Sequence, residues 1–212
     1  NLNIQKGTGT IAITPATLTV TTPSASKAYD GCALTAEGKV SGFVAGESAT
    51  LVTTGSQTLV GTSNNTYELN WDGNAKAANY EIVENIGTLE VTQSQAAIVI
   101  VPQGASKTYD GTPLEAAGYD VYGLPAGFTL TAAVLGSQTN VGGSYAEVDS
   151  YVIENAAGED VTDQFANVSC GMATLSVAKR PVTITSADAT QVYNGAELTA
   201  HEATVTAGEG IV

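Results

Sequence analysis

Short runs in which hydrophobic and polar residues alternate recur along the chain. Leu18 and Val20 alternate with threonines, and Leu89 and Val91 alternate with Thr and Glu. A period of two residues predicts β-strands that bury one face. Four other runs are short, rich in β-branched or aromatic residues and bounded by Gly, Asn or Ser, which also predicts strands. These runs are Ala49–Thr54, Tyr67–Trp71, Leu130–Val134 and Ala146–Ile153.

Helical periodicity is absent from every long stretch of the sequence. Gly73–Ala78 and Asp160–Gln164 could each form one helical turn ahead of a closing strand. Gly87 is predicted to turn a hairpin between the strand around Tyr80 and the closing strand. The short strands predict an all-β fold, in which each repeat is an immunoglobulin-like β-sandwich. A β-grasp fold is the alternative, and it would require one full helix.

Three motifs recur in a fixed order and define a tandem repeat. An opening strand leads to a turn motif with the pattern Tyr-Asp-Gly or Tyr-Asn-Gly, a Gly-Ser-Gln-Thr motif follows, and a closing strand ends the repeat. The turn motif spans Lys27–Gly31, Lys107–Gly111 and Gln191–Gly195; the middle motif spans Gly55–Thr58 and Gly136–Thr139; the closing strand spans Gly9–Ile13, Gly87–Val91 and Ala173–Val177.

The motifs divide the chain into four segments. These are the tail of a preceding repeat at 1–15, two full repeats at 16–93 and 94–179, and the truncated start of a further repeat at 180–212. If the closing strands of one repeat pack into the next, the domains would instead be 1–78, 79–164 and 165–212. The connectors between repeats are short, and Pro15 and Pro181 stiffen two of them, which predicts an elongated, semi-rigid rod.

The net charge of the chain argues against two classes of binding partner. The chain carries 7 Lys and Arg against 21 Asp and Glu, for a net charge of −14. Nucleic acid and anionic lipid both require a basic face, so neither is an expected partner. The sequence has no apolar run of the length that membrane insertion requires. A secretion signal and an anchor are expected outside this sequence.

These motifs resemble the YDG or MBG-type tandem repeats of bacterial cell-surface adhesins, which are immunoglobulin-like modules of large cell-wall proteins. The matching residues are Lys27–Gly31, Gly87–Val91, Lys107–Gly111, Gly136–Thr139 and Asp160–Asp163. The resemblance implies an extracellular stalk of a secreted, wall-anchored adhesin, most typical of a Gram-positive gut bacterium, and it supplies no catalytic residues. The third turn departs from the pattern, because Gln191 and Asn194 stand where the other copies have Lys and Asp.

The expected function is a structural spacer that presents a binding tip, with neighbouring repeats of the same chain as partners. The alternative is that the repeats themselves bind host mucin, a surface glycan or a protein. An enzyme is not expected, since His201 is the only histidine and lies in the truncated repeat, which argues against a Ser-His-Asp or Cys-His site.

The turn motif is the principal candidate site. Asp-Gly and Asn-Gly suit tight turns because Gly accepts a positive φ and the Asp or Asn side chain caps the turn. The tyrosine is expected to bury its ring as a structural anchor. The motif residues are Tyr29, Asp30, Gly31, Tyr109, Asp110, Gly111, Tyr193, Asn194 and Gly195.

A Lys–Asn amide cross-link is a second candidate. Its chemistry needs a deprotonated lysine beside an asparagine, with a buried protonated acid to polarise the amide. The candidates are Lys27 with Asn79 and Lys107 with Asn167. Asn79 aligns with Phe165 in the second repeat, and both lysines border a turn, so the sequence favours a structural role for them.

The remaining polar residues give weaker signals. Cys32 and Cys170 are expected to be free thiols, since each belongs to a different repeat. No cofactor is expected, although Asp72–Asn74 or Asp160 with Asp163 could bind Ca²⁺ without forming an EF-hand loop. Trp71 and Tyr151 fall at strand positions and are expected to anchor the core.

Overall fold

The computed structural model describes Leu2, residues 7–71 and residues 73–207. Nearly all regular structure in these residues is β, as predicted. The chain divides into two compact units, unit 1 with residues 1–95 and 163–166, and unit 2 with residues 96–162 and 167–212. A short segment of the second sequence repeat therefore belongs to unit 1.

Unit 1 contains eight strands in three sheets within its described residues. The strands are β1 (Ala16–Thr21), β2 (Ala25–Ala28), β3 (Lys39–Ser41), β4 (Ala49–Thr53), β5 (Gly61–Asn64), β6 (Tyr67–Trp71), β7 (Tyr80–Asn85) and β8 (Thr88–Thr92). The sheet orders are β3-β1-β7, β2-β8-β5 and β4-β6. The predicted strands at 49–54 and 67–71 are confirmed as β4 and β6.

Unit 2 follows a similar plan, but it includes a four-stranded sheet and three strands that are longer than any described strand of unit 1. The strands are β9 (Ile98–Pro102), β10 (Ala105–Thr108), β11 (Leu114–Glu115), β12 (Tyr119–Tyr122), β13 (Thr129–Leu135), β14 (Ser137–Gln138), β15 (Gly142–Glu154), β16 (Val168–Cys170), β17 (Met172–Ala178), β18 (Val182–Ser186) and β19 (Ala203–Ala207). The sheet orders are β12-β9-β16, β10-β17-β15-β13 and β11-β14, and β18 pairs with β19.

The opening and closing segments of each unit run side by side as a parallel ribbon. In unit 1, Ala16 pairs with Tyr80 in one sheet and Lys27 pairs with Val91 in the next, so the offset in sequence between partners is the same in both sheets. Unit 2 also keeps a constant offset, from the pair Ile98–Val168 to the pair Lys107–Val177. Each ribbon therefore begins in one sheet and ends in another.

The predicted hairpin at Gly87 is wrong. The strands before and after it, β7 and β8, lie in different sheets and do not pair with each other. Gly87 is instead the point at which the closing segment changes sheet beside Pro23. A Cβ on Gly87 would lie 2.3 Å from the Pro23 carbonyl carbon, so only glycine permits this close approach.

The hydrophobic members of the alternating runs in the sequence are buried core residues in both units. Leu18, Val20, Leu89 and Val91 are at most 1% exposed. In unit 2 the matching buried residues are Ile98, Ile100, Leu175 and Val177. The core residues of each unit come from two different sheets, which is the layered arrangement of a β-sandwich.

The helical content is limited to two 3-10 turns among the described residues, at Ala77–Asn79 and Thr162–Gln164. The second lies within the predicted stretch 160–164, whereas the first overlaps only the end of the predicted stretch 73–78. The full helix that a β-grasp fold needs is absent from the part of the chain that the structure describes. Nothing in that part is a helix with the length and apolar character to cross a membrane.

Candidate functional site

The first two turn motifs share one hydrogen-bonding pattern. Asp30 Oδ1 accepts the Cys32 N–H at 2.9 Å, and Asp110 Oδ1 accepts the Thr112 N–H at 2.9 Å. The glycine that follows each aspartate has a φ of 81° or 82°, a value that suits glycine in particular. The side chain of the aspartate thus closes the turn and the glycine allows the chain to reverse.

A lysine three residues earlier pairs with each aspartate. Lys27 Nζ lies 2.6 Å from Asp30 Oδ1, and Lys107 Nζ lies 2.8 Å from Asp110 Oδ1. The hydrogen bond from each lysine, followed by the backbone N–H donor, holds the pKa of both carboxyl groups below the usual range. Both aspartates are therefore anionic at neutral pH.

The third turn reproduces this geometry without charge. Asn194 Oδ1 accepts the Ala196 N–H at 3.0 Å, and Gln191 Nε2 donates to Asn194 Oδ1 at 3.3 Å. Gly195 has a φ of 81°. The neutral pair Gln191 and Asn194 makes the same contacts as Lys and Asp, so the turn requires the hydrogen bonds and not the ion pair.

The three motif tyrosines differ in burial. Tyr29 is 4% exposed, Tyr109 is 38% exposed and Tyr193 is 93% exposed. The Tyr29 ring meets the Phe165 ring edge-to-face, with centroids 5.8 Å apart. Phe165 is itself 6% exposed and lies in the short segment 163–166, which we call the clasp. Ring burial at this motif therefore coincides with the presence of the clasp.

Backbone and side-chain hydrogen bonds hold the clasp within unit 1. The Ser94 N–H donates to Gln164 O at 2.8 Å, and the Ala166 N–H donates to Ser94 O at 3.0 Å. Val60 N–H donates to the Gln164 side chain at 2.6 Å. The clasp thus adds a short parallel bridge at the end of the unit 1 ribbon.

The structure does not bring the cross-link candidates together. Lys27 lies opposite Val91, while Asn79 directly precedes the first ribbon residue, Tyr80. Asn79 and Val91, the partner of Lys27, therefore lie at opposite ends of the closing segment, which changes sheet between them. Lys27 is also paired with an anionic aspartate, whereas the cross-link needs a neutral lysine and a protonated acid.

The second candidate pair is separated in the same way. Lys107 pairs with Val177, and Asn167 lies at the opposite end of the unit 2 ribbon, where its carbonyl accepts the Ile98 N–H at 2.9 Å. The Lys107 ammonium donates to Asp110 and to the Thr112 hydroxyl and carbonyl. Lys107 therefore stabilises the turn that follows it.

The other candidate polar residues are the two cysteines and the aspartates considered for Ca²⁺. Cys32 and Cys170 are exposed free thiols in different units. Hydrogen bonds from the Thr162 hydroxyl and N–H lower the pKa of Asp160, which precedes the second 3-10 turn. Asp72 lies outside the described residues. Across the described ranges, no group of three or more His, Cys, Asp or Glu could hold a metal ion.

An aromatic cluster in unit 1 was missed by sequence reasoning. Trp71 stacks on Tyr80 at 5.6 Å between ring centroids, and Phe43 meets both rings edge-to-face. The Tyr80 hydroxyl donates to Glu47 at 2.6 Å and accepts the Val44 N–H at 3.1 Å. Burial of this ring, and then the Glu47 carboxylate, raise the pKa of the Tyr80 hydroxyl.

A cleft of about 410 Å³ opens beside this cluster, lined in part by Glu47, Asn79 and Tyr80. The carboxylate and hydroxyl in it already bond to each other. In the second repeat Phe128 follows Gly127 at the position where Glu47 follows Gly46, so the carboxylate does not recur. The carboxylate of this cleft is therefore specific to the first repeat.

Asn65 is a buried polar residue that the alternating pattern did not reveal. Its side chain is fully buried and donates to Pro23 O and to Ala36 O, each at 2.9 Å. Its Oδ1 has no hydrogen-bond partner. The residue at the same distance from the Gly-Ser-Gln-Thr motif in the second repeat is Ala146, also fully buried. Asn65 therefore has a structural role specific to the first repeat.

The first repeat matches a known protein family. Residues 18–90 match the family model described as the MBG domain of the YGX type, which confirms the resemblance noted in the sequence for about a third of the chain. The match starts in β1 and ends in β8, and so covers one repeat from opening to closing strand. MBG repeat domains are generally non-catalytic structural or binding modules. No curated protein and no solved structure matches the chain.

Proposed function

We propose that this chain is a force-bearing spacer in the stalk of a secreted, cell-wall-anchored bacterial adhesin, where its repeats hold a binding tip away from the surface. The parallel ribbon in each unit is the observation that carries the proposal. Tension in a tandem array would enter a unit at its opening segment and leave at its closing segment. These are the two segments that the ribbon joins.

The direction of the strands decides how such a load is shared. The opening and closing segments run parallel, so pulling them from opposite ends slides one along the other. All the ribbon hydrogen bonds then resist together, whereas bonds pulled from one end would break one at a time. Each bond contributes only about 0.5–1.5 kcal/mol net, so simultaneous loading is what makes the ribbon strong.

Single-molecule pulling tests this reasoning on the full chain. With both native cysteines replaced by serine, one sample is attached at its termini and a second at cysteines introduced by Pro15→Cys and Asn79→Cys. The second pair lies at one end of the unit 1 ribbon and would open it bond by bond. We expect unit 1 to unfold at a markedly higher force in the first geometry. Equal forces in the two geometries would refute the mechanical role.

Cell-surface location and ligand binding need separate measurements. Antibodies against the chain should label intact source cells, and a failure to do so would count against a stalk. The full chain should bind neither mucin nor an array of host glycans. If it does bind, and if the variant Glu47→Gln abolishes binding, the cleft beside Tyr80 is a ligand site and the chain is not a pure spacer.

A further inference from the structure

The surface around the motif tyrosine is covered in unit 1 and exposed in unit 2. Both tyrosines occupy the same motif position, and the backbone N–H of each donates to the closing strand, Tyr29 to Thr92 O and Tyr109 to Ala178 O. Tyr29 is nevertheless 4% exposed while Tyr109 is 38% exposed. The difference in burial therefore does not arise from the local fold of the turn.

The clasp accounts for the difference. Phe165 covers Tyr29 in unit 1, and the clasp that carries it comes from the sequence of the second repeat. We propose that the surface around Tyr109 is the docking site for the equivalent clasp of a following repeat, so that each repeat is completed by a segment of the next. The inference concerns how repeats join, and it does not depend on whether the chain forms a stalk.

The positions that hold the clasp in unit 1 have counterparts in unit 2. Val60, whose N–H donates to the clasp, corresponds through the Gly-Ser-Gln-Thr motif to Val141, which is 46% exposed. The register of the closing strands places Lys179 and Arg180 where unit 1 has Gln93 and Ser94. The Arg180 guanidinium donates to the Tyr109 backbone carbonyl at 3.4 Å, so this charge lies next to the same residue.

The charges of this surface indicate the chemistry of its occupant. Lys179 and Arg180 are two of only 7 basic residues in the chain. The known clasp, in contrast, carries the acidic residue Asp163 two positions before Phe165. A basic edge next to an exposed tyrosine complements a segment of the type Asp-Gln-Phe, through opposite charge and an edge-to-face ring pair.

A tethered copy of the clasp tests the proposal on the full chain. The chain is extended by a flexible Gly-Ser linker of about 30 residues, which spans roughly 30 Å, followed by a copy of residues 160–168. Tethering places the copy at an effective concentration in the millimolar range, so weak docking is detectable. The control carries the same tether with the Phe165→Ala change in the copy alone.

Reactivity of the tyrosines toward a phenol-acetylating reagent, mapped by mass spectrometry, is the measurement. We expect the phenylalanine tether to slow acetylation of Tyr109 by up to about ninefold, the ratio of the exposed fractions of Tyr109 and Tyr29. Tyr193 should stay fully reactive as an internal standard. Equal Tyr109 rates with the two tethers would overturn the proposal.

A second measurement examines the clasp that is already in place. Phe165→Ala in the unextended chain should raise the acetylation rate of Tyr29 toward that of Tyr109. Unit 2 should keep its fold, because the changed residue belongs to unit 1. If Tyr29 stays protected without the Phe165 ring, the clasp is not what buries the motif tyrosine, and the docking site at Tyr109 loses its basis.

Discussion

Replacement of Asn65 by alanine should destabilise unit 1 by an amount that can be estimated from its hydrogen bonds. The change removes the amide group that donates to two carbonyl groups, those of Pro23 and Ala36. It also removes the buried Oδ1, which has no partner. Two hydrogen bonds worth about 0.5–1.5 kcal/mol each are lost, offset in part by removal of the unpaired oxygen, and we take about 2 kcal/mol as the expected loss.

The assay can observe unit 1 alone. The single tryptophan, Trp71, lies in this unit, so its fluorescence reports thermal unfolding of unit 1 without a contribution from unit 2. For a domain of this size, a loss of about 2 kcal/mol lowers the melting temperature by roughly 8–16 °C. Asn64→Ala, an exposed neighbour on β5, is the matched control and should change stability by less than about 0.5 kcal/mol.

The isosteric variant Asn65→Asp sharpens the test. An aspartate would direct oxygen atoms at two carbonyl oxygens, so the folded state should favour the protonated acid and raise its pKa. Stability of this variant should then be greatest below the unfolded pKa of about 3.9 and decline as the pH rises through the folded pKa. If Asn65→Ala melts within experimental error of the wild type, Asn65 does not link these segments and the reasoning fails.

Three further outcomes follow from the described geometry. Gly87→Ala should destabilise unit 1 by more than about 3 kcal/mol because its Cβ would overlap the opposing backbone, whereas Gly73→Ala, with open space around it, should be nearly neutral in the same melting assay. The pKa of Asp110 is lowered in the folded state, so its carboxylate stabilises the fold above the usual value of 3.8, and this contribution is lost as the pH falls through the folded pKa. The stability of the double variant Lys107→Gln, Asp110→Asn should therefore fall less steeply with acid than that of the wild type. The same acid unfolding profile in both proteins would contradict this prediction. Burial, with a neighbouring carboxylate, raises the Tyr67 pKa to about 12, so Tyr67→Phe should lose absorbance change in the last part of the ultraviolet titration of the phenol groups. If the variant instead loses absorbance change around pH 10, the pKa of Tyr67 is not raised.

The local pattern of the sequence predicted the local structure well. Alternation at Leu18 and Val20 identified strands whose inward faces are fully buried. Buried and exposed side chains alternate along a strand, so a few neighbouring residues are enough to predict which side chains face the core. The turn chemistry at Asp30 and Asp110 is equally local, because the carboxylate bonds to an N–H only two residues later.

Long-range pairing was not predictable in the same way. The hairpin at Gly87 was a reasonable expectation for a glycine between two strands, yet β7 pairs with β1 and β8 pairs with β2, far back in the chain. Such pairing depends on the whole fold, and no local signal records it. Asn65 was missed for a related reason, since its partners, Pro23 and Ala36, are distant in sequence. Phe165 gave no sign that it would bury a tyrosine of the preceding repeat.

The parallel ribbon also has a consequence for how each unit folds. Its opening strand gains its parallel partner only when the closing strand, which lies most of a repeat further along the chain, is present. Closing a loop of that length costs on the order of 4 kcal/mol in chain entropy, and this cost arises before the native contacts of the ribbon can offset it. Folding dominated by such distant pairings is slow, typically milliseconds to seconds. Each unit should therefore stay open while its chain is being made and close only when its last strand appears.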